Sequence, residues 1–175
     1  MVTEKEGKMD MQAQMEIHAK MSQPGASHKL LESMEGSWTA KTTTWMEPGQ
    51  PPVESASTSE NQMILGGRYL HQEFSGDMMG TPFKGIGING YDNFKKKFVS
   101  IWMDSMSTGI FYFEGEGQGK TITQVCHAED PVKGPVTWRS ITRIEDHNTH
   151  KFEMFGTDKS GKEEKMMEII YTRRR

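Results

Sequence analysis

Four side chains of this sequence could meet to do acid–base chemistry: His71, Glu73, Asp104 and Glu114. His71 and Glu73 lie two residues apart, so on a strand they share a face. Asp104 and Glu114 end two later apolar runs whose same-parity positions carry Trp102 and Tyr112. If these faces turn toward one apolar interior, the carboxylates are pushed to higher pKa and can serve as general acid or base. If they turn outward, the same groups are ordinary solvated charges, and strand parity alone does not decide between the two. Trp102, Asp104, Tyr112, Glu114 and Glu73 are therefore the candidate lining of a ligand site. There, aromatic bodies would hold an apolar guest and carboxylates would orient it.

Nothing else in the chain adds a catalytic group. No Ser/His/Asp elbow is visible, and the six histidines show neither H-x-x-x-H nor Cys/His metal spacing, so no metal site is expected. A haem ligand among them is compatible with a barrel, but a hydrogen-bonded surface or core role is the ordinary one, and no cofactor is expected. His147 and His150 flank a turn and read as exposed. Cys126 and His127 are neighbours, so a strand points them to opposite faces and they cannot form a nucleophile–base pair. Gly85-Ile86-Gly87-Ile88-Asn89-Gly90 fits G-x-G-x-x-G, but a turn and another strand follow where nucleotide binding needs a helix. Glycines that let a strand bend are the better reading. The sequence leans against an enzyme without excluding one.

The elements that must position these residues are short strands. From Trp38 onward the chain alternates β-prone runs with Gly, Pro, Asn and Asp turns every eight to twelve residues or so. About ten strands result, with no helix between them, which excludes parallel crossovers. A meander of that length closes best as a barrel, which removes its edges and can hold one small ligand. Lys97 to Asp104 and Thr108 to Glu114 are apolar on both faces, so that part of the wall should be covered outside, by the N-terminal helices or by a second subunit. Ahead of the barrel, residues 1–27 read as a helical segment separate from a barrel domain over 28–175. Within it, Lys8 to Met21 forms a Met-rich amphipathic helix that serves as a lid, a dimer arm or a loosely packed appendage. A second short helix, capped by Ser27, carries Leu30, Leu31 and Met34 and stops at Gly36 as a left-handed residue.

Charge and composition narrow the partners. A net charge of -3 leaves no broad basic face, so nucleic acid is not expected. No apolar run approaches the roughly 18 residues of a membrane span, and Met1 to Glu6 has no signal-like apolar core. With one cysteine, no internal disulfide forms, and a cytoplasmic protein is expected.

Several stretches carry a family resemblance. They are Gly36-Ser37-Trp38, Trp45-Met46-Glu47-Pro48-Gly49 and Ile64-Leu65-Gly66-Gly67-Arg68-Tyr69-Leu70. Further on come Gly87-Ile88-Asn89-Gly90-Tyr91-Asp92-Asn93, Trp102-Met103-Asp104 and Met167-Glu168-Ile169-Ile170-Tyr171-Thr172-Arg173. Over residues 24–173 the chain resembles a mostly bacterial domain-of-unknown-function family with a lipocalin-like fold of the calycin superfamily. That resemblance implies an all-β, single antiparallel barrel of about ten strands with short N-terminal helices. It also implies that Arg173 stacks on Trp38. The family pattern has Gln where this chain has His71. The function expected is interior binding of a small, largely apolar molecule. An enzyme using cavity carboxylates, or a structural barrel with a filled interior, stands as the alternative. The expected partners are a small hydrophobic ligand and a second copy of the chain in a homodimer.

Overall fold

A computed structural model describes residues 10–158 and 160–175. Two helices, α1 (Met11–Met21) and α2 (Ala26–Glu32), precede ten strands. These are β1 (Gly36–Thr44), β2 (Val53–Ile64), β3 (Tyr69–Met78), β4 (Thr81–Asp92) and β5 (Lys97–Asp104). They continue as β6 (Phe111–Gln118), β7 (Thr121–Asp130), β8 (Gly134–Ile144), β9 (Thr149–Thr157) and β10 (Glu163–Arg173). Each pairs antiparallel with its sequence neighbours, and β1 pairs with β10, so the meander is a closed barrel, as the turn pattern predicts.

The turns explain the strand limits. Leu65, Gly66 and Gly67 all have positive φ, so the β2–β3 connection is a wider turn than the Gly-Gly pair alone suggests. β3 runs on through Gly76 and Asp77. Only Met79-Gly80 turns, both at positive φ, with the Asp77 carboxylate accepting the Gly80 N–H.

Alternation assigns the faces. Trp38, Ala40 and Thr42 of β1 point inward, as do Ser57, Ser59 and Asn61 of β2; Thr39, Lys41 and Glu60 between them are exposed. One end is plugged. Leu31 of α2 and Met34 just beyond it pack with Leu70, Phe98, Ile122 and Ile144. At the same end, the Trp38 indole is 1% exposed and donates to the Met34 carbonyl at 3.0 Å. The Arg173 guanidinium lies 4.1 Å from its ring centre. It donates to the carbonyls of Ser33 (3.1 Å), Glu35 (2.6 Å) and His147 (2.8 Å), fastening α2, β10 and the β8–β9 turn together. Gly36, at φ +122°, is required here, because a Cβ would stand 2.4 Å from Nη1 of Arg173.

Two expectations for the N-terminal segment change. α2 is capped by Gly25, not Ser27, and its N3 residue His28 accepts the Gly25 N–H at 2.9 Å through Nδ1. The helix also ends at Glu32, so Gly36 opens β1 instead of closing the helix. Among the described residues no helix covers the outer wall at Ile86, Ile110 and Tyr112. α2 spans the barrel end, and α1 stands away with Met11, Met15, Ile17 and Met21 exposed. Its tether is Asn93, which donates to the carbonyls of Met21 and Gln23 at 2.8 Å. Lys8 and Met9, where the sequence reading starts this helix, lie outside the described residues. Ile86 and Tyr112 therefore remain solvent-facing on β4 and β6, with Ile110 just before β6. Among the described residues no helix is long and apolar enough to cross a membrane.

Candidate binding cavity

Between the plug and the opposite end, the barrel encloses a cavity of about 590 Å³. That is within the roughly 300–1,000 Å³ of small-molecule sites. Strand direction gives each lining residue a depth. Toward the open end the wall is aromatic and sulfur-rich: Phe74, Phe83, Trp102, Phe111, Phe152 and Met167. Met46, Met79 and Met106 ring the mouth, with Asp77 and Asp104 beside them, while the Glu54 carboxylate pairs with Lys41 at 3.0 Å on the outer face. Toward the plug, the deepest lining position of most strands is polar.

That polar floor is a set of short hydrogen bonds. On one side Gln72 Nε2 donates to Ser59 Oγ (3.0 Å) and toward the Tyr171 hydroxyl (3.4 Å), and Ser59 donates to Asn61 Oδ1 (2.8 Å). Asn61 is fixed in turn by donating to the Met34 carbonyl at 2.9 Å. On the other side the Ser100 hydroxyl lies 2.9 Å from Asn89 Oδ1 and 3.1 Å from Gln124 Oε1. Gly115 between β5 and β7 carries no side chain over this link, and a Cβ there would meet the Thr123 carbonyl at 1.9 Å.

His150 is the most constrained group of the floor. Its ring stacks on Tyr171 at 4.2 Å and meets the Trp38 ring edge-on at 4.4 Å. Burial, and secondarily the Arg173 charge behind Trp38, hold its pKa down at about 3, so it is neutral. This corrects its reading as an exposed turn residue. β9 begins at Thr149, so His150 is already inside the barrel, while His147 stays exposed in the turn. Burial likewise pushes the Tyr171 hydroxyl and the Cys126 thiol upward, keeping both protonated at neutral pH.

Of the residues the sequence nominates, Trp102 and Asp104 border the cavity and Glu73, Tyr112 and Glu114 do not. The reason is register. Trp102 faces Phe111 across the β5–β6 ladder, so Phe111 and Phe113 share its inward face, and Tyr112 and Glu114 point out. Outside, Glu114 accepts the Tyr112 hydroxyl at 2.8 Å and pairs with Lys95 and Lys97 at 3.1 Å. Those bonds lower its pKa to about 2, the opposite of the shift expected for a cavity carboxylate. His71 and Glu73 do share a face, but an outer one, because Leu70, Gln72 and Phe74 of β3 line the interior.

Trp102 is held in place by a device the sequence displays without explaining. Its indole lies over Gly85 and Gly87, where a Cβ would come within 2.2 Å and 3.3 Å of the ring. Its Nε1–H donates to Asp104 Oδ2 at 2.8 Å, and Asp104 also accepts the Met106 N–H at 2.9 Å. The two glycines thus make room for an aromatic on the next strand.

The sequence reading nominates none of the polar lining residues Thr42, Gln72, Gln124, His150 and Tyr171 for a ligand site. Singly they look like the polar half of ordinary alternation. The one available signal is that Trp38 and Ala40 share the parity of Thr42, which places Thr42 inside. A wider depression of about 880 Å³ lies outside, between the loop after β1 and the β7–β8 and β9–β10 hairpins. Its walls mix strand residues such as Val136, Trp138 and Met166 with loop and charged side chains such as Glu47, Lys133 and Lys162, so it is not enclosed by strands on all sides as the interior is. Among the described residues no three His, Cys, Asp or Glu side chains are grouped to hold a metal.

A closed ten-strand antiparallel barrel, helix-plugged at one end and hollow toward the other, is the architecture of lipocalin-like proteins. The chain belongs to the family described as "Protein of unknown function (DUF1579)", which matches residues 23–173. No curated protein matches it. Among solved structures it is similar to Rv2717c from M. tuberculosis, at 14% identity and a TM-score of 0.62, over 87% of this chain and 100% of that one. It is also similar to the S-type phycobiliprotein lyase CPES from Guillardia theta, at 10% identity and a TM-score of 0.57, over 86% and 94%. At such identities both likenesses concern the fold.

Proposed function

We propose that this protein is a binding barrel that takes a small, largely apolar molecule into its interior through the methionine-ringed mouth. The observation that carries the reading is the 590 Å³ cavity walled by fixed strand side chains. A barrel serving only as a structural element would fill that space with its own side chains. Trp102 is the proposed aromatic wall of the site, and Asp104 orients it through the indole hydrogen bond. The uncovered outer strip of Ile86, Ile110 and Tyr112 supports a homodimer through that wall.

The test uses N-phenyl-1-naphthylamine, an uncharged apolar dye that fluoresces when sheltered from water. Saturable one-to-one binding is expected, lost in Thr142→Phe, which puts a ring into the cavity. Absence of saturable binding, or equal binding by a folded Thr142→Phe protein, would contradict the reading. The enzyme alternative keeps one supporting observation, Asp104 at the cavity mouth. Asp104→Asn separates the two: loss of turnover at unchanged affinity means chemistry, and loss of affinity means recognition.

A further inference from the structure

The cavity is polarised along the barrel axis, and its charges are of one sign. Among the described residues its lining includes the acidic residues Glu54, Asp77 and Asp104, all near the mouth and the first of them paired with Lys41 on the outer face, and no Lys or Arg. Its floor is made of neutral hydroxyl and amide side chains, among them Ser100, Gln124 and Thr142, with the neutral imidazole of His150. Such a floor offers a guest hydrogen bonds and no charge.

Resting on the binding reading above, we propose that the ligand is an uncharged amphiphile. Its hydrogen-bonding head, a hydroxyl or a carboxamide, seats against this floor. Its apolar body lies along Phe74, Trp102 and Phe152 toward the mouth. A carboxylate head is rejected because no cation in the lining offsets its desolvation. An ammonium head is rejected because the floor offers it amide and hydroxyl dipoles, while the carboxylates sit at the other end.

The ligand class is read from a matched series of one chain length: dodecanol, dodecanamide, dodecanoate and dodecylammonium. Each competes with N-phenyl-1-naphthylamine for the wild-type protein at pH 7.5. Dodecanol or dodecanamide is expected to displace the dye at least about tenfold more effectively than either ion, the scale set by leaving a buried charge unpaired. Gln124→Leu, which removes an amide from the floor, should shrink that preference, read as the ratio of neutral to ionic competitor measured in the same variant. Dodecanoate or dodecylammonium binding as tightly as the neutral pair would overturn the proposal and leave the binding reading intact. So would dye binding that none of the four displaces. Failure of the dye to bind at all would remove the binding reading, and this inference with it.

Discussion

At the scale of single residues, two groups near the plug govern stability. Arg173 makes three hydrogen bonds to carbonyls and caps the Trp38 ring, so its loss strands acceptors from α2 and the β8–β9 turn. Arg173→Ala should destabilise the protein by about 2–4 kcal/mol in urea unfolding, and Arg173→Lys should recover only part, because an ammonium cannot fork to three carbonyls. His150 sets the acid limit. Folded, its pKa is about 3 against an ordinary 6.5, so below pH 6.5 the unfolded chain takes up a proton that the folded chain refuses. Its contribution is fully present above pH 6.5 and is lost progressively as the pH falls toward 3. At about 1.4 kcal/mol per pH unit, the loss reaches roughly 4–5 kcal/mol at the bottom of that window. His28, lowered mainly by burial, acts in the same direction. His150→Phe keeps the stacked ring and removes the proton site. Its melting temperature should fall less between pH 7 and pH 4 than that of the wild type; parallel slopes would exclude His150 as the titrating group.

At the scale of elements, the β4 glycines and Trp102 act as one unit. Gly85→Ala drives a methyl into the indole and should cost about 1–3 kcal/mol. It should also shift tryptophan emission and weaken N-phenyl-1-naphthylamine binding. Gly80→Ala, at a turn with open space around its Cβ position, should leave the emission alone. This scale also shows what the sequence makes legible. Turn residues are local chemistry, so Lys97–Asp104 is bounded as observed, and ten strands form where about ten are expected. Face assignment is not local. β5 and β6 carry apolar residues on both sides, so the face that points inward depends on a register that a one-residue slip inverts. Pairing Trp102 with Tyr112 instead of Phe111 is that slip, and it sends Glu114 to the wrong side of the wall. His150 fails for a similar reason, since whether a residue beside a turn is exposed depends on where the ladder begins.

At the scale of the whole molecule, the barrel sorts its interior into three zones: an apolar plug under α2, a hydrogen-bonded polar floor, and an aromatic upper chamber that opens through methionines. Flexible methionine side chains suit a mouth that must adapt to a guest. The central claim is that a guest occupies this chamber and not the outer groove, and three of the four tryptophans are placed to report it, Trp138 bordering both. Trp102 walls the chamber, Trp38 lies behind the floor, and Trp45 borders only the outer groove. The deciding measurement is a titration with N-phenyl-1-naphthylamine followed by the indole N–H signals in a ¹H–¹⁵N NMR spectrum. The Trp102 signal should move to saturation while those of Trp38 and Trp45 hold still. A spectrum in which Trp45 moves and Trp102 does not would put the guest outside the barrel and contradict the account.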